Sequence, residues 1–381
     1  MKDHLSYYHK INQVPTIDIS DNKKKLLLMQ RFAFYFSLKI SESDFNNKTV
    51  LELCPGSGYN SYYLLSKCKI KSIELVDYSD DSIRKLNKNL SKYKNVTIMK
   101  KKIQSYNTTK RYDFVIMENA LDGFDRDEMI FKKLCRFTKK GGSIIFNFGD
   151  LFGIFSTKLR FFYSKLILDQ RNIDNFDKKL KFLSRLFSKH ILYLSKNTRT
   201  AEKWVLDNIL NDEWIKRENY FDYNKLKKRI KSNFLIKSNS PIFEKKFIWY
   251  KNKNLNSHNL DIFEEYNSNK LNLLDFETNF KSKLNIKKLE WHIKKLYKLL
   301  SKIETEKRIK TRHLNGIDQE LGKINKILNK NKFNNKISLA LNEIADAIIK
   351  YKKNKNIKIN TKHLNKLWGI YTQNCCIVKI K

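Results

Sequence analysis

At 381 residues and 45.6 kDa the chain is long enough to bury a full core and allows two or three domains, while 41% hydrophobic and 31% charged residues, with 10 Gly and 3 Pro, exclude collagen-like and Pro/Gly-rich disordered classes. The net charge of +39, from 78 Lys and Arg against 39 Asp and Glu, brings in a polyanionic partner, because basic side chains near phosphate displace its counterions. Lysine nevertheless exceeds arginine about five to one, asparagine is abundant, and both sides of residue 250 are basic, so most of this charge reads as compositional background.

In chain order, Met1 to Tyr8 lack the apolar core of a signal peptide, and Lys23 to Ile40 form a helical stretch rich in Leu, Phe and Tyr. From residue 48 strands and helices alternate. Thr49 to Leu53 is a short apolar strand running into Cys54-Pro-Gly-Ser-Gly58, followed by a helix from Tyr59 to Lys67. Ser72 to Val76 is a second strand, Asp80 to Leu90 a helix opened by Ser79 or Asp80, and Val96 to Met99 a third strand. Asp113 to Met117 is the fourth, Arg126 to Phe137 a helix, and Ser143 to Phe146 the fifth strand after a turn at Lys139 to Gly142. Strands this apolar, separated by helices, predict a parallel sheet buried on both faces.

Residues 151 to 230 read as mainly helical, with Leu151 to Leu168 a buried helix, since Lys158, Arg160 and Lys165 do not share one face. Phe234 to Ile236 and Phe243 to Tyr250 are further strand candidates. No stretch supplies the roughly 18 uncharged apolar residues of a membrane span. After an Asn-rich connection at 251–285, three stripes take steps of three and four: Ile286 to Ile303, Ile317 to Leu328 and Ile337 to Tyr351. They predict a small helical bundle packed on its own chain, or alternatively a homodimer interface through 286–351. Lys350 to Lys366 carries eight Lys or His with no acid and reads as a solvated face. The five cysteines have neither disulfide nor zinc spacing, so they read as reduced thiols in a cytoplasmic protein, and no metal is expected.

A glycine-rich loop between a strand and a helix lets backbone approach a ligand and aims helix N–H groups at it. Glu52-x-Cys54-x-Gly56-x-Gly58 is such a loop, but it is neither Gly-x-Gly-x-x-Gly nor a Gly-Lys-Ser/Thr phosphate loop. Val50 to Gly58 resembles motif I of class I S-adenosylmethionine-dependent methyltransferases, with Cys54 in place of the family's first glycine. Glu74 to Ser79 resembles the acidic motif of the second strand, while Tyr112 to Met117 and Lys139 to Ile145 resemble those of the fourth and fifth. The match spans about 48 to 150 in the right order. Arg31 to Tyr35, Gly58 to Asn60 and Thr200 to Asn208 are similar to uncharacterised bacterial methyltransferases, in which a final strand returns after a long insertion; Gln373 to Ile380 would be that strand.

The resemblance implies a Rossmann-like α/β fold, a doubly wound sheet with a C-terminal all-α helical region and a returning final strand. The division it implies is an N-terminal helical lid or substrate segment at 1–47, a methyltransferase domain at 48–250, a linker at 251–285, a helical insertion at 286–366 and the returning strand at 367–381. S-adenosylmethionine is the implied cofactor. Gly56 and Gly58, with Cys54 between strand and loop, would approach its methionine and ribose. Glu52 would orient the loop or meet the amino group, and Asp77 would bind the ribose hydroxyls. Lys102 stands near the family's adenine-contacting Asp, so Ile103 and Gln104 would hold adenine, with Glu118 a further candidate at the end of strand four.

A sulfonium methyl is already activated, so transfer is mostly positioning, and a general base matters only for a hydroxyl acceptor. No such base is readable; Glu118, Asp122 and Asp150 fall where acceptor-facing loops belong. Asn119 to Asp122 is not the Asn/Asp-Pro-Pro-Tyr/Phe signature of methyltransferases acting on adenine or glutamine. The expected activity is therefore methylation of a small-molecule or glycan acceptor at oxygen. An RNA methyltransferase, favoured by charge alone, and a binding or scaffold protein that has lost catalysis, hinted at by Cys54 and Lys102, are the alternatives.

Overall fold

The computed structural model describes residues 7, 11, 19, 21–121, 127–194, 199–211, 220–230, 233–241, 262–278, 286–330, 335–359 and 361–381. Strands β1 (Thr49–Leu53), β2 (Ser72–Asp77), β3 (Val96–Lys100), β4 (Tyr112–Met117), β5 (Thr138–Gly149), β6 (Phe234–Ser240) and β7 (Thr372–Lys379) form one seven-stranded sheet in the order β3-β2-β1-β4-β5-β7-β6. The first five pair in parallel, and β6 pairs antiparallel with β7. The described helices are α1 (Asp21–Ser37), α2 (Tyr59–Lys67), α3 (Asp80–Leu90), α4 (Asp127–Phe137), α5 (Phe155–Gln170), α6 (Phe176–Leu186), α7 (Ser188–Tyr193), α8 (Ala201–Asn208), α9 (Tyr223–Ile230), α10 (Ile262–Asn269), α11 (Ile286–Glu304), α12 (Thr311–Lys330) and α13 (Asn335–Lys352).

The chain divides into two compact units, one of Met1–Phe148, Phe221–Phe263 and Thr372–Lys381, the other of Gly149–Tyr220 and Glu264–Tyr371. In the first, alternation along the strands feeds two cores. Val50, Ile73, Leu75, Phe114, Ile116, Ile145 and Cys376 pack against α1, α2 and α3. On the opposite face Phe146, Phe148, Phe131 of α4, Phe221 and Tyr223 make a chain of aromatic contacts. The sheet is thus covered on both sides, as its apolar strands demand.

β7 is the returning strand. Its Cys375, Cys376 and Ile377 have no exposed surface, and it lies between β5 and β6. The turn expected at Lys139 to Gly142 is a bulge inside β5: Tyr112 opposes Thr138 and Phe114 opposes Ser143, so the register shifts across the intervening residues, where the Lys139 ammonium pairs with Asp113 of β4 at 2.9 Å.

The second unit is helical. α5 is buried almost all round, including Lys158 and Arg160. The Arg160 guanidinium donates to the carbonyls of Leu364 and Leu367, and burial pushes its pKa down to about 9. The apolar stripes of α11, α12 and α13 pack on one another and on α5, with Leu289, Ile293, Leu296, Ile317, Ile324, Ile337 and Ile344 fully buried. Those stripes are buried among the described helices of the chain itself, the small helical bundle that their spacing predicts. Residues 251–285 are not all connection: α10 and the buried Leu271, Leu273 and Leu274 fall there, where Asn-rich flanks hid a short apolar cluster. Nor does the α/β unit run unbroken from 48 to 250, since the chain leaves it at Gly149 and re-enters at Phe221. Phe243 to Tyr250 lie outside the described residues. Among the described residues no helix is long and apolar enough to cross a membrane.

Candidate active site

Strand order reverses between β1 and β4, and the crevice beyond the C-terminal ends of strands at such a switch point is where open α/β sheets bind ligands. The Glu52–Gly58 loop leaves β1 there, and Glu118 follows β4. Glu52 is buried and accepts from Asn60 Nδ2 at 3.0 Å and Ser61 Oγ at 2.6 Å, both on α2. Tyr35 of α1 donates to Asn60 Oδ1 at 2.7 Å, so the carboxylate is tied through α2 to the N-terminal helix. Burial raises the Glu52 pKa to about 7, with nearby Glu118 adding to the rise and the Ser61 and Asn60 donors opposing it.

The loop adopts left-handed backbone at Cys54 (φ 56°), Gly56 (φ 61°) and Gly58 (φ 78°). Cys54 therefore takes the conformation that the family's glycine would supply, with its N–H donating to the Val76 carbonyl at 2.8 Å. Gly58 is required twice over, because a Cβ there would stand 2.6 Å from Leu86 Cδ2 as well as forcing an unfavourable φ.

Asp77 closes β2 and accepts from the Gly56 N–H at 3.1 Å and the Ser79 N–H at 3.0 Å, which ties the glycine loop to the second strand end. Burial pushes its carboxyl up against these donors. Ser79 caps α3, its side chain accepting from Ser82 N–H. At the third strand end Ile103 is buried and Gln104 half-buried in a turn where the Ser105 and Tyr106 N–H groups donate to the Lys102 carbonyl. Lys133 of α4 gathers that turn, donating to the carbonyls of Ile103 at 3.1 Å, Gln104 at 2.5 Å and Tyr106 at 2.8 Å. Lys102 itself turns outward, its Nζ 4.6 Å from the Tyr78 ring centroid.

Glu118 differs from expectation. It forms a two-pronged ion pair with Arg31 of α1, Nη1 to Oε2 and Nη2 to Oε1 both at 2.8 Å. Arg31 is 4% exposed, and the Glu118 charge keeps it firmly protonated against burial. In this structure Glu118 is the anchor of the N-terminal helix rather than an open carboxylate. The loop after it is held by Asn147 of β5, which accepts from the Asn119 N–H at 2.5 Å. Asp122 lies outside the described residues. Asp150 is wholly buried and accepts from the Phe152 N–H at 2.7 Å and the Tyr266 hydroxyl at 2.6 Å, which shapes the turn after β5.

Sequence reasoning thus placed Glu52, Cys54, Gly56, Gly58 and Asp77 around one loop, with Ile103 and Gln104 at a neighbouring strand end. It missed Arg31, Asn60, Ser61 and Lys133. Arg31 carried a signal: it is the one charge in the stripe Leu27, Arg31, Phe34, Leu38, where apolar side chains recur at helical spacing.

Residues 50–142 match the family model described as a methyltransferase domain. A curated relative, malonyl-[acyl-carrier protein] O-methyltransferase 2 of Ilyobacter polytropus, is 26% identical over 211 residues, covering 54% of this chain and 73% of the relative. Among solved structures, the N-methyltransferase NodS of Bradyrhizobium japonicum WM9 with S-adenosyl-l-homocysteine is 14% identical over 32% of this chain and 60% of that one, with a TM-score of 0.28. Phosphoethanolamine N-methyltransferase 1 of Haemonchus contortus is 15% identical over 38% of this chain and 31% of that one, with a TM-score of 0.32. The chain spans less than two thirds of either solved protein. Residues 50–142 are thus a methyltransferase domain by this match, and their strand order and glycine loop are similar to those of class I S-adenosylmethionine-dependent methyltransferases.

Proposed function

We propose that this chain methylates an oxygen of a small-molecule or glycan acceptor, using the loop of Glu52 to Gly58 and Asp77 to hold its cofactor. The observation that carries the cofactor half is the donor set at the ends of β1 and β2: a left-handed loop tied by Gly56 N–H to Asp77, with Glu52 buried behind it. This set fits S-adenosylmethionine, which offers an ammonium for Glu52, a ribose diol for Asp77 and an adenine for the apolar Ile103 and the amide of Gln104. When bound, S-adenosylmethionine supplies a methyl group already activated on a sulfonium sulfur. The residues of the chain then bind, orient and exclude water, which is where most of the rate comes from in such a displacement.

Oxygen as acceptor atom is supported by the curated relative, a malonyl-[acyl-carrier protein] O-methyltransferase, which makes malonyl-[acyl-carrier protein] the first acceptor to try. The test is transfer of labelled methyl from the cofactor into that acceptor and into fractionated glycans and metabolites, alongside calorimetry with the cofactor. Label in an oxygen ester or ether supports the reading. Absence of cofactor binding at high micromolar concentration would sink it.

A second reading, methylation of RNA, has one specific feature in its favour. The outward face of α11 presents Lys287, Lys288, Lys294, Lys295 and Lys298 around Trp291, which is 56% exposed, a pattern suited to phosphates and a stacked base. Label entering RNA, with binding that falls steeply with salt, would favour it over the first.

A further inference from the structure

Arg31 sits on the buried side of α1 with its guanidinium at the C-terminal ends of β1 and β4, where the ligand crevice opens. Its surroundings suit a planar cation that recognises a planar anion. The Phe34 ring centroid lies 4.1 Å from Cζ, Tyr59 5.1 Å and Tyr35 5.4 Å. Nη1 donates to the Tyr59 hydroxyl at 3.0 Å besides Glu118 Oε2, and Nε is buried with no hydrogen-bond partner among the described residues. Three ring faces, a fork already engaged and an unused third donor make a carboxylate-recognition box whose present occupant is a side chain of the protein itself.

We propose that Arg31 is the positioning residue for a ligand carboxylate in this site, and that Glu118 is a placeholder which the ligand carboxylate displaces. The charge pattern leads there. Glu52 and Asp77 suit the ammonium and the ribose diol of the cofactor, but neither accommodates its carboxylate, and Arg31 is the buried cation among the described residues at the ends of β1 and β4. A guanidinium this buried cannot be left unpaired without a cost of several kcal/mol. An internal carboxylate that is 12% exposed solves that problem before ligand arrives and can turn toward solvent when it does. Because Arg31 is on α1, the exchange also couples ligand binding to the N-terminal helix. Two sources share this chemistry, the aminoacyl carboxylate of the cofactor and a carboxylate on the acceptor. The role rests on the cofactor assignment and not on the identity of the acceptor.

Calorimetry separates these. S-adenosylhomocysteine and 5′-methylthioadenosine share nucleoside and thioether, but only the first carries the aminoacyl end. In the intact chain, Arg31→Gln should weaken S-adenosylhomocysteine roughly tenfold or more while leaving methylthioadenosine within about twofold, with Arg31→Lys in between. Glu118→Gln should do the opposite and tighten S-adenosylhomocysteine about threefold or more, because the competing internal carboxylate is gone. A loss of malonate binding in Arg31→Gln at saturating methylthioadenosine, with S-adenosylhomocysteine unmoved, would assign the box to the acceptor carboxylate instead. The proposal is overturned if Arg31→Gln and Arg31→Lys weaken both nucleosides alike, if no carboxylate ligand responds to Arg31, or if Glu118→Gln weakens S-adenosylhomocysteine as Arg31→Gln does. A wild-type chain that binds neither nucleoside removes the cofactor assignment and this role together, whereas retained methylthioadenosine binding confines a failure to Arg31.

Discussion

Glu52 titrates where cells live. Its folded-state pKa of about 7 lies above the ordinary 4.5, so between these values the folded chain holds a proton that the unfolded chain has released. Stability from this group is therefore full below about pH 4.5 and declines as pH rises through about 7, by up to about 3 kcal/mol. Glu52→Gln should remove that slope: without cofactor, its melting temperature should gain on the wild type steadily from about pH 5 to pH 8 in thermal scans. An ammonium beside Glu52 favours the ionised form, so cofactor affinity should rise over the same range in the wild type and stay flat in Glu52→Gln. Calorimetry in buffers of different ionisation enthalpy would detect the released proton. Cys54 poses a different residue-scale problem, since a side chain in left-handed backbone costs about 1 kcal/mol and a β-branched one more. Cys54→Gly should be tolerated within about 1 kcal/mol, while Cys54→Val should lose roughly 1–3 kcal/mol in urea unfolding. Equal losses from both would show that the thiol's contacts, and not its φ, decide the position.

Among the elements, β7 carries the most with the least sequence. It inserts between β5 and β6, its register with β6 runs from Phe234–Lys379 to Ser240–Asn374, and its Cys376 joins the core shared by α1, α2 and the strands. Ending the chain at Tyr371 should unzip β6 and uncover one side of β5, exposing unpaired edges that favour aggregation. Loss of the cooperative thermal transition, followed by circular dichroism, is the expected result; an unchanged melting temperature would falsify the strand's structural role. The first five strands were readable because each is a short apolar run bounded by helix caps and Gly or Asn. β7 was readable from the family resemblance, with Cys375 and Cys376 acting as small hydrophobes in a continuous apolar run through Val378. The bulge in β5 was not, since a strand that resumes its register after Lys139 to Gly142 has the same local composition as a turn. Arg31 escaped for a related reason: its partner Glu118 is 87 residues away, and no periodicity along one helix reports a contact across the sheet. Pair contacts of this kind belong to tertiary structure, whereas caps, loops and strand periods are local.

At the scale of the molecule, the charge that dominates the composition is distributed rather than concentrated. Lys350 pairs with Asp346 at 2.5 Å and Lys352 with Asp318 at 2.7 Å, so even the densest basic run is partly neutralised by its helical neighbours. What remains is a surplus of +39 whose mutual repulsion opposes compaction. Salt screens such repulsion over about 10 Å at 0.1 M, so the melting temperature should rise between about 0.05 and 0.5 M sodium chloride. The same surplus predicts non-specific binding to polyanions, and the question is whether α11 adds anything to it. Reversing Lys287, Lys294 and Lys298 to Glu changes the net charge as much as reversing the exposed Lys67, Lys69 and Lys71 on the α/β unit, but only the first set surrounds Trp291. If the charge is background, both triple variants should lose single-stranded RNA binding equally, each lowering the salt slope by the same amount in fluorescence titrations. A larger loss from the α11 set, accompanied by loss of Trp291 quenching, would mark that helix face as a binding surface. That difference, and not the size of the net charge, is the quantity that decides between a basic protein and a protein that reads a polyanion.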